Sequence, residues 1–214
     1  MVNRFNAIKH EYYSDDTQLL SVTKFISRYQ RPFNAPMVAN MVANKNNRTA
    51  EDVLNEWDLK RDIANNYGTS VHLAVEGWIK YGLIPTQKHL QLVVEKFREK
   101  FGHIKWESEY RIFNKEYELG GTVDLLSFES GIMADIKTNA TNKKASKGNF
   151  IKPLNKLKVN NLNKVRLQTS IYENLIGEEF KKYVYIWNGE DFEEQELEPV
   201  DVSDILKERL TEIL

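Results

Sequence analysis

Residues 120–139, GGTVDLLSFESGIMADIKTN, most constrain how this chain can fold. Two short, mostly apolar runs flank the turn residues Glu129, Ser130 and Gly131. Runs of that length, bounded by turn formers, read as strands in the middle of a sheet. Each run nevertheless carries one aspartate, Asp124 or Asp135, and the second adds Lys137. On the first strand Thr122, Asp124 and Leu126 share a face; on the second Met133, Asp135 and Lys137 do. If Phe128 pairs with Gly131, Asp124 lies directly across from Asp135. A one-residue slip would send them to opposite faces, and the sequence leaves that register open.

In the first register two carboxylates meet at cross-strand distance, which destabilises a sheet unless something neutralises them. A divalent cation would do so, with Lys137 as a further positive group. Two carboxylates, a lysine and an adjacent basic surface suit metal-assisted phosphodiester hydrolysis, in which a metal polarises the phosphate and acidifies a water. The lysine can orient that water or stabilise charge growing on the phosphate. The competing reading places Asp124 and Lys137 at strand ends in solvent.

The basic surface is concealed by a net charge of −1. Between Thr138 and Tyr172 there is no acid, but seven lysines and one arginine, and the stretch after it, 173–214, is rich in Glu and Asp. Such asymmetry marks either a polyanion-binding surface or a solvated loop. The chain has no cysteine, which excludes disulfides, thiol nucleophiles and cysteine-held zinc or iron–sulfur sites. No apolar run has membrane-spanning length and the N-terminus lacks the apolar core of a signal peptide, so a cytoplasmic setting is expected, in a bacterial or phage-infected cell. At 214 residues and 41% hydrophobic, a single domain is expected.

The first hundred residues read as helical. Ser21-Val22-Thr23 precedes a short helix over 24–29, which Pro32 and Pro36 break. Thr49 with Asp52 resembles a capping box. Gly68-Thr69-Ser70 opens a further helix, with Val71, Ala74, Val75, Trp78 and Ile79 on one face and Gly82 and Pro85 at its end. A helix over 87–101 follows. Near Lys105 the period changes to two, the mark of a half-buried strand. After the central hairpin come a helix over 162–176, a strand over 182–187, an Asn188-Gly189 hairpin turn, a last strand and a terminal helix. The order predicts an α/β or α+β fold with a mixed sheet; α/β, with a mixed central sheet flanked by helices, is the reading adopted.

Five short motifs now stand in order: Gly68-Thr69-Ser70-Val71-His72, the strand glutamate Glu109, Gly121-Thr122-Val123-Asp124, Asp135-Ile136-Lys137-Thr138, and Gln168-Thr169-Ser170-Ile171-Tyr172. Together they resemble the RecB-type branch of the PD-(D/E)XK nucleases over residues 21–187, and in particular its small stand-alone members, including the mitochondrial genome maintenance exonuclease-like and phage enzymes. The resemblance implies a restriction-endonuclease-like core at about 103–214 behind an N-terminal helical region, or arch, at about 1–102, all in one nuclease domain. It implies that Asp124, Asp135, the Ile136 carbonyl and His72 bind Mg²⁺ or Mn²⁺, and that Lys137 positions the attacking water. Glu109 would support the site, with Glu107 as a rival for that role. Gln168 and Tyr172 would hold the DNA strand or brace the site, and Lys143, Lys144, Lys147, Lys164 and Arg166 would bind DNA. Glu76 has no secure role. The family's proline is absent, Val123 standing before Asp124, and without cysteine the iron–sulfur cluster of several relatives is impossible. The activity implied is a metal-dependent exonuclease on single-stranded DNA or DNA ends, in replication, recombination or repair, and partner proteins from those processes are expected. An endonuclease on the same fold and a non-catalytic DNA-end-binding subunit are the alternatives.

Overall fold

The computed structural model describes residues 2–138 and 148–213. Lys143, Lys144 and Lys147 therefore lie outside the described residues.

The chain begins with strands where a helical region was expected. β1 (Asn3–Asn6), β2 (Glu11–Ser14) and β3 (Thr17–Ser21) form an antiparallel meander. Strands of four or five residues are too short to display a period. The cue that was available is the Asp15-Asp16 turn between β2 and β3, with Asp15 at φ 52°, a left-handed conformation that aspartate tolerates. Ser21 then caps α1 (Val22–Ser27), its hydroxyl accepting from the Lys24 N–H at 3.3 Å. Pro36 opens α2 (Ala35–Asn46) instead of breaking a helix, because in a first turn its missing N–H costs nothing.

The expected capping box forms: Thr49 and Asp52 bond reciprocally at the start of α3 (Ala50–Tyr81). This helix runs 32 residues, straight through Gly68, where a new helix was expected to start. Gly82, at φ 65°, ends it, as a residue without Cβ can. α4 (Lys88–Phe101) follows. Then come β4 (Glu107–Asn114), β5 (Leu119–Ser127), β6 (Ile132–Lys137), α5 (Asn161–Ile176), β7 (Lys181–Trp187), β8 (Phe192–Glu196) and α6 (Ser203–Ile213).

Among the described residues the eight strands join one mixed sheet in the order β1-β2-β3-β5-β6-β7-β8, with β4 also on β5. The pairs β3–β5 and β6–β7 are parallel and the others antiparallel. One face is covered by α1, α5 and α6, through residues such as Phe25, Ile171 and Ile205. The other is covered by α3 and α4, through Val71, Val75, Val94 and Phe97. The fold is thus mixed α/β, with helices on both sides of the sheet. Among the described residues no helix is long and apolar enough to cross a membrane.

The sheet is not continuous at its centre. β5 pairs with β4 along almost its whole length, yet its other edge is shared: β3 takes Leu119 and Gly120, and β6 takes Leu125 to Ser127. Between those two stretches β5 and β6 part, leaving a fork in the sheet. Away from the fork, α2 and the start of α3 pack into a small cluster of their own, Ala39, Ala43 and Val53. Residues 58–66 of α3, between that cluster and the main core, are exposed on every side.

Candidate metal centre at a fork in the sheet

The pairing of β5 with β6 runs Ser127↔Ile132, Leu126↔Met133, Leu125↔Ala134. Carried one step further, that register sets Asp124 opposite Asp135, the first of the two alignments open to the sequence. The ladder stops there, because a side chain takes the place of the strand. The Ile136 N–H donates to Asp124 Oδ2 at 2.8 Å. A charge-assisted bond of that kind replaces a ladder bond and fixes the aspartate at the mouth of the fork.

The opposite strand distorts at the same level. Glu109 of β4 sits at φ 53°, a strained conformation for a residue with a Cβ, of the kind that persists where surrounding structure enforces it. The alternation of faces slips here too. Val123 packs with the α5-side core but Leu125 packs with α3 and α4. Regular pleating would have put both on one face. The faces expected from strict alternation therefore hold up to Asp124 and fail beyond it.

Into this distortion α3 delivers His72. Its Nε2 lies 3.1 Å from the Ile136 carbonyl oxygen. Its Nδ1 is 3.7 Å from Asp124 Oδ2 and 3.9 Å from Glu109 Oε1. His72, Glu109 and Asp124 each offer a ligand atom, and those atoms lie within 4.8 Å of one another. Burial works against a charged His72, but the Asp124 and Glu109 carboxylates overcome it and raise its pKa to about 9. Glu109, not the exposed Glu107, is the strand glutamate that reaches the group. Glu76 is turned away, paired with Lys80 at 2.5 Å.

Asp135 and Lys137 form the other half of the site. The Lys137 ammonium is 2.6 Å from Asp135 Oδ2 and 3.5 Å from the Ile136 carbonyl. Burial pushes the Asp135 carboxyl up to about 6, a rise that Lys137 only partly offsets. Burial opposes charge on Lys137 as well, but Asp135 and Asp124 hold it above the usual lysine range. Asp135 is thus turned to Lys137 and stands outside the tight His72–Glu109–Asp124 group. The Ile136 carbonyl, expected as a ligand, faces the His72 ring and accepts from Nε2.

Lys137 floors a cavity of about 450 Å³ between α1 and α5, lined also by Thr23, Ser27, Gln30, Lys164 and Gln168. Gln168 donates to the Tyr172 hydroxyl at 2.9 Å. Tyr172 is buried against β5. A Cβ on Gly121 would come within 2.2 Å of the Tyr172 ring, so the glycine of that motif makes room for an aromatic brace. Arg166 does not join Lys164 and Gln168. It points along another side of α5, donating to the Glu198 carbonyl at 2.8 Å and to Asn163 Oδ1 at 3.0 Å.

One contributor was not singled out from the sequence. The buried Tyr12 of β2 shares a 2.8 Å hydrogen bond with Thr122 Oγ1, two residues before Asp124. Its Cβ lies against Gly120, where an added Cβ would approach to 2.6 Å. The paired glycines Gly120-Gly121 were the available signal, because two successive positions without side chains imply close neighbours on both faces.

No family model matches this sequence, and no curated protein matches it. Among solved structures, the one described as the crystal structure of SSO0001 is 18% identical, with a TM-score of 0.40 over 90% of this chain and 72% of that chain. A TM-score of that size carries no argument about fold or function.

Proposed function

We propose that this protein is a metal-dependent deoxyribonuclease of the RecB type, built on a restriction-endonuclease-like core and acting as an exonuclease on single-stranded DNA or DNA ends. The observation that carries the reading is the convergence of His72, Glu109 and Asp124 beside the Asp135–Lys137 pair at one fork in the sheet.

The donor set fits a divalent cation. With Nε2 committed to the Ile136 carbonyl, His72 turns Nδ1 toward the two carboxylates, giving one nitrogen and two oxygens. Carboxylates suit Mg²⁺ and Mn²⁺ alike, and the imidazole adds weight to Mn²⁺. A bound ion would polarise the scissile phosphate and acidify a water. Asp135, buried beside the His72–Glu109–Asp124 group, holds the Lys137 ammonium at 2.6 Å and so fixes a positive charge next to it. Lys137 is placed to orient an attacking water or to stabilise charge on the phosphate. Thr23, Ser27, Lys164 and Gln168 in the adjoining cavity supply hydroxyl, amide and ammonium donors for a phosphodiester strand. A threaded free end would pass the exposed middle of α3, residues 58–66, which lies between the α2–α3 cluster and the main core.

The test is degradation of end-labelled linear single-stranded DNA with Mg²⁺, Mn²⁺ or EDTA, beside Asp135→Ala and Lys137→Ala. Metal-dependent degradation lost in both variants is expected, with label position giving polarity. Absence of cleavage under all conditions overturns the reading, and undiminished DNA binding would then leave an end-binding subunit. Circular single strands cut as fast as linear ones would make the enzyme an endonuclease.

A further inference from the structure

The N-terminal meander that the sequence concealed brings a second set of residues to the edge of the site. β4 continues from Glu109 to Arg111, and Arg111 pairs with Thr122 as Phe113 does with Gly120. These positions share the face on which Tyr12 bonds Thr122. Phe5 stands across from Tyr12 with ring centroids 4.9 Å apart, and His10 packs edge-on against Phe5 at 5.2 Å. The Arg111 guanidinium lies 4.5 Å from the centre of the Phe5 ring. Arg111 is two residues from Glu109 on β4, and Thr122, which Tyr12 bonds, is two residues from Asp124 on β5, so the group adjoins the carboxylate cluster.

Arg111 is the informative member. It is exposed, and among the described residues it has neither a hydrogen bond nor an ion pair, only the aromatic ring beneath it. A guanidinium stacked on a ring keeps its N–H groups free for a planar or anionic partner. The acid nearest along β2, Glu11, lies on the reverse face and accepts from the Tyr13 hydroxyl. Exposed His10 at the β1–β2 turn adds a further ring.

The geometry points to the Phe5–His10–Arg111 surface as a docking platform for single-stranded DNA, which stacks a base on the exposed face of the Phe5-backed guanidinium and sets a phosphate on its N–H edge next to the carboxylate cluster. This rests on the nuclease reading of the neighbouring site. The chemistry is that of single-strand binders, which combine aromatic faces with cationic groups and accept any base. It also accounts for the place of the meander: an extension of the sheet that joins β5 at Leu119 and Gly120 lengthens the track on which a strand lies.

The test is binding of a fluorescent oligothymidylate in EDTA, followed by anisotropy over a salt series. Arg111→Glu should weaken binding about tenfold or more and lower the salt slope by about 0.7. Phe5→Ala should weaken it by about fivefold to a hundredfold, and Phe5→Tyr should restore it. The control is Arg4→Glu, the same charge change on the reverse face of the ribbon, where Arg4 stacks on Tyr13 at 5.1 Å; it should change binding less than about twofold. Arg111→Gln, milder and on an exposed side chain, guards against misfolding, with the denaturation midpoint as check. Equal losses for Arg111→Glu and Arg4→Glu overturn the platform. Normal cleavage and binding with Arg111→Glu unimpaired overturn it and leave the nuclease standing. No binding by the wild type overturns the platform and leaves the nuclease to its cleavage test, and binding without cleavage, still lost in Arg111→Glu, sinks the nuclease alone.

Discussion

With Nε2 committed to the Ile136 carbonyl, His72 has one nitrogen left, and two carboxylates face it. In the metal-free protein that nitrogen holds a proton, since Asp124 and Glu109 overcome the cost of burial and raise the pKa to about 9 from 6.5. A histidine raised in this way stabilises the fold fully below about pH 6.5 and stops doing so as pH rises through about 9. The expected contribution is at most about 3 kcal/mol. Urea denaturation in EDTA should show the wild type losing stability between those limits, while His72→Gln loses much less. Packing at Gly121 is equally testable. Gly121→Ala sets a methyl into the Tyr172 ring and should cost about 1–3 kcal/mol, measured by the shift in denaturation midpoint. Trimming the hydroxyl in Tyr172→Phe removes only the Gln168 bond and should cost about 0.5–1.5 kcal/mol.

At the scale of elements, α3 shows what a sequence discloses and what it withholds. Its start is legible because the Thr49–Asp52 box is a local exchange of two hydrogen bonds. Its continuity through Gly68 is not, because packing against the sheet overrides the weak propensity of one glycine. There Gly68 lies close to Thr138, with an added Cβ at 3.4 Å from Thr138 Oγ1. That distance is ordinary contact for a methyl, so Gly68→Ala should stabilise by about 0.5–1 kcal/mol. Gly68→Leu should instead push α3 off β6, and with it His72 one turn along, weakening Mn²⁺ binding in a calorimetric titration. The strand signals divide in the same way. Apolar runs and turn residues made the β5–β6 register readable as one of two choices, and one of those is present. The fork beyond it, and the left-handed Glu109 opposite, arise from neighbours distant in sequence and leave no mark on local pattern. Pro36 misleads because the same ring that breaks a helix interior is welcome in a first turn.

For the molecule as a whole, the site joins three separate stretches of chain: α3, the β4–β5 hairpin and β6. An ion that binds only when these are assembled stabilises the folded state by mass action, by about 2.7 kcal/mol at a hundredfold excess over Kd. Mn²⁺ should therefore raise the thermal midpoint of the wild type and leave that of Asp124→Asn unchanged. The order of the five motifs was readable from one end of the chain to the other. That Tyr12 and the meander also reach the site was not, since that contact spans 110 residues. The fork itself has a spectroscopic consequence. One residue, Ile136, gives its N–H to Asp124 while its carbonyl faces His72. Its backbone amide resonance is a built-in indicator: protonation, metal loading or substrate arrival at either side chain will move a single cross-peak, on a nucleus that no substitution has disturbed.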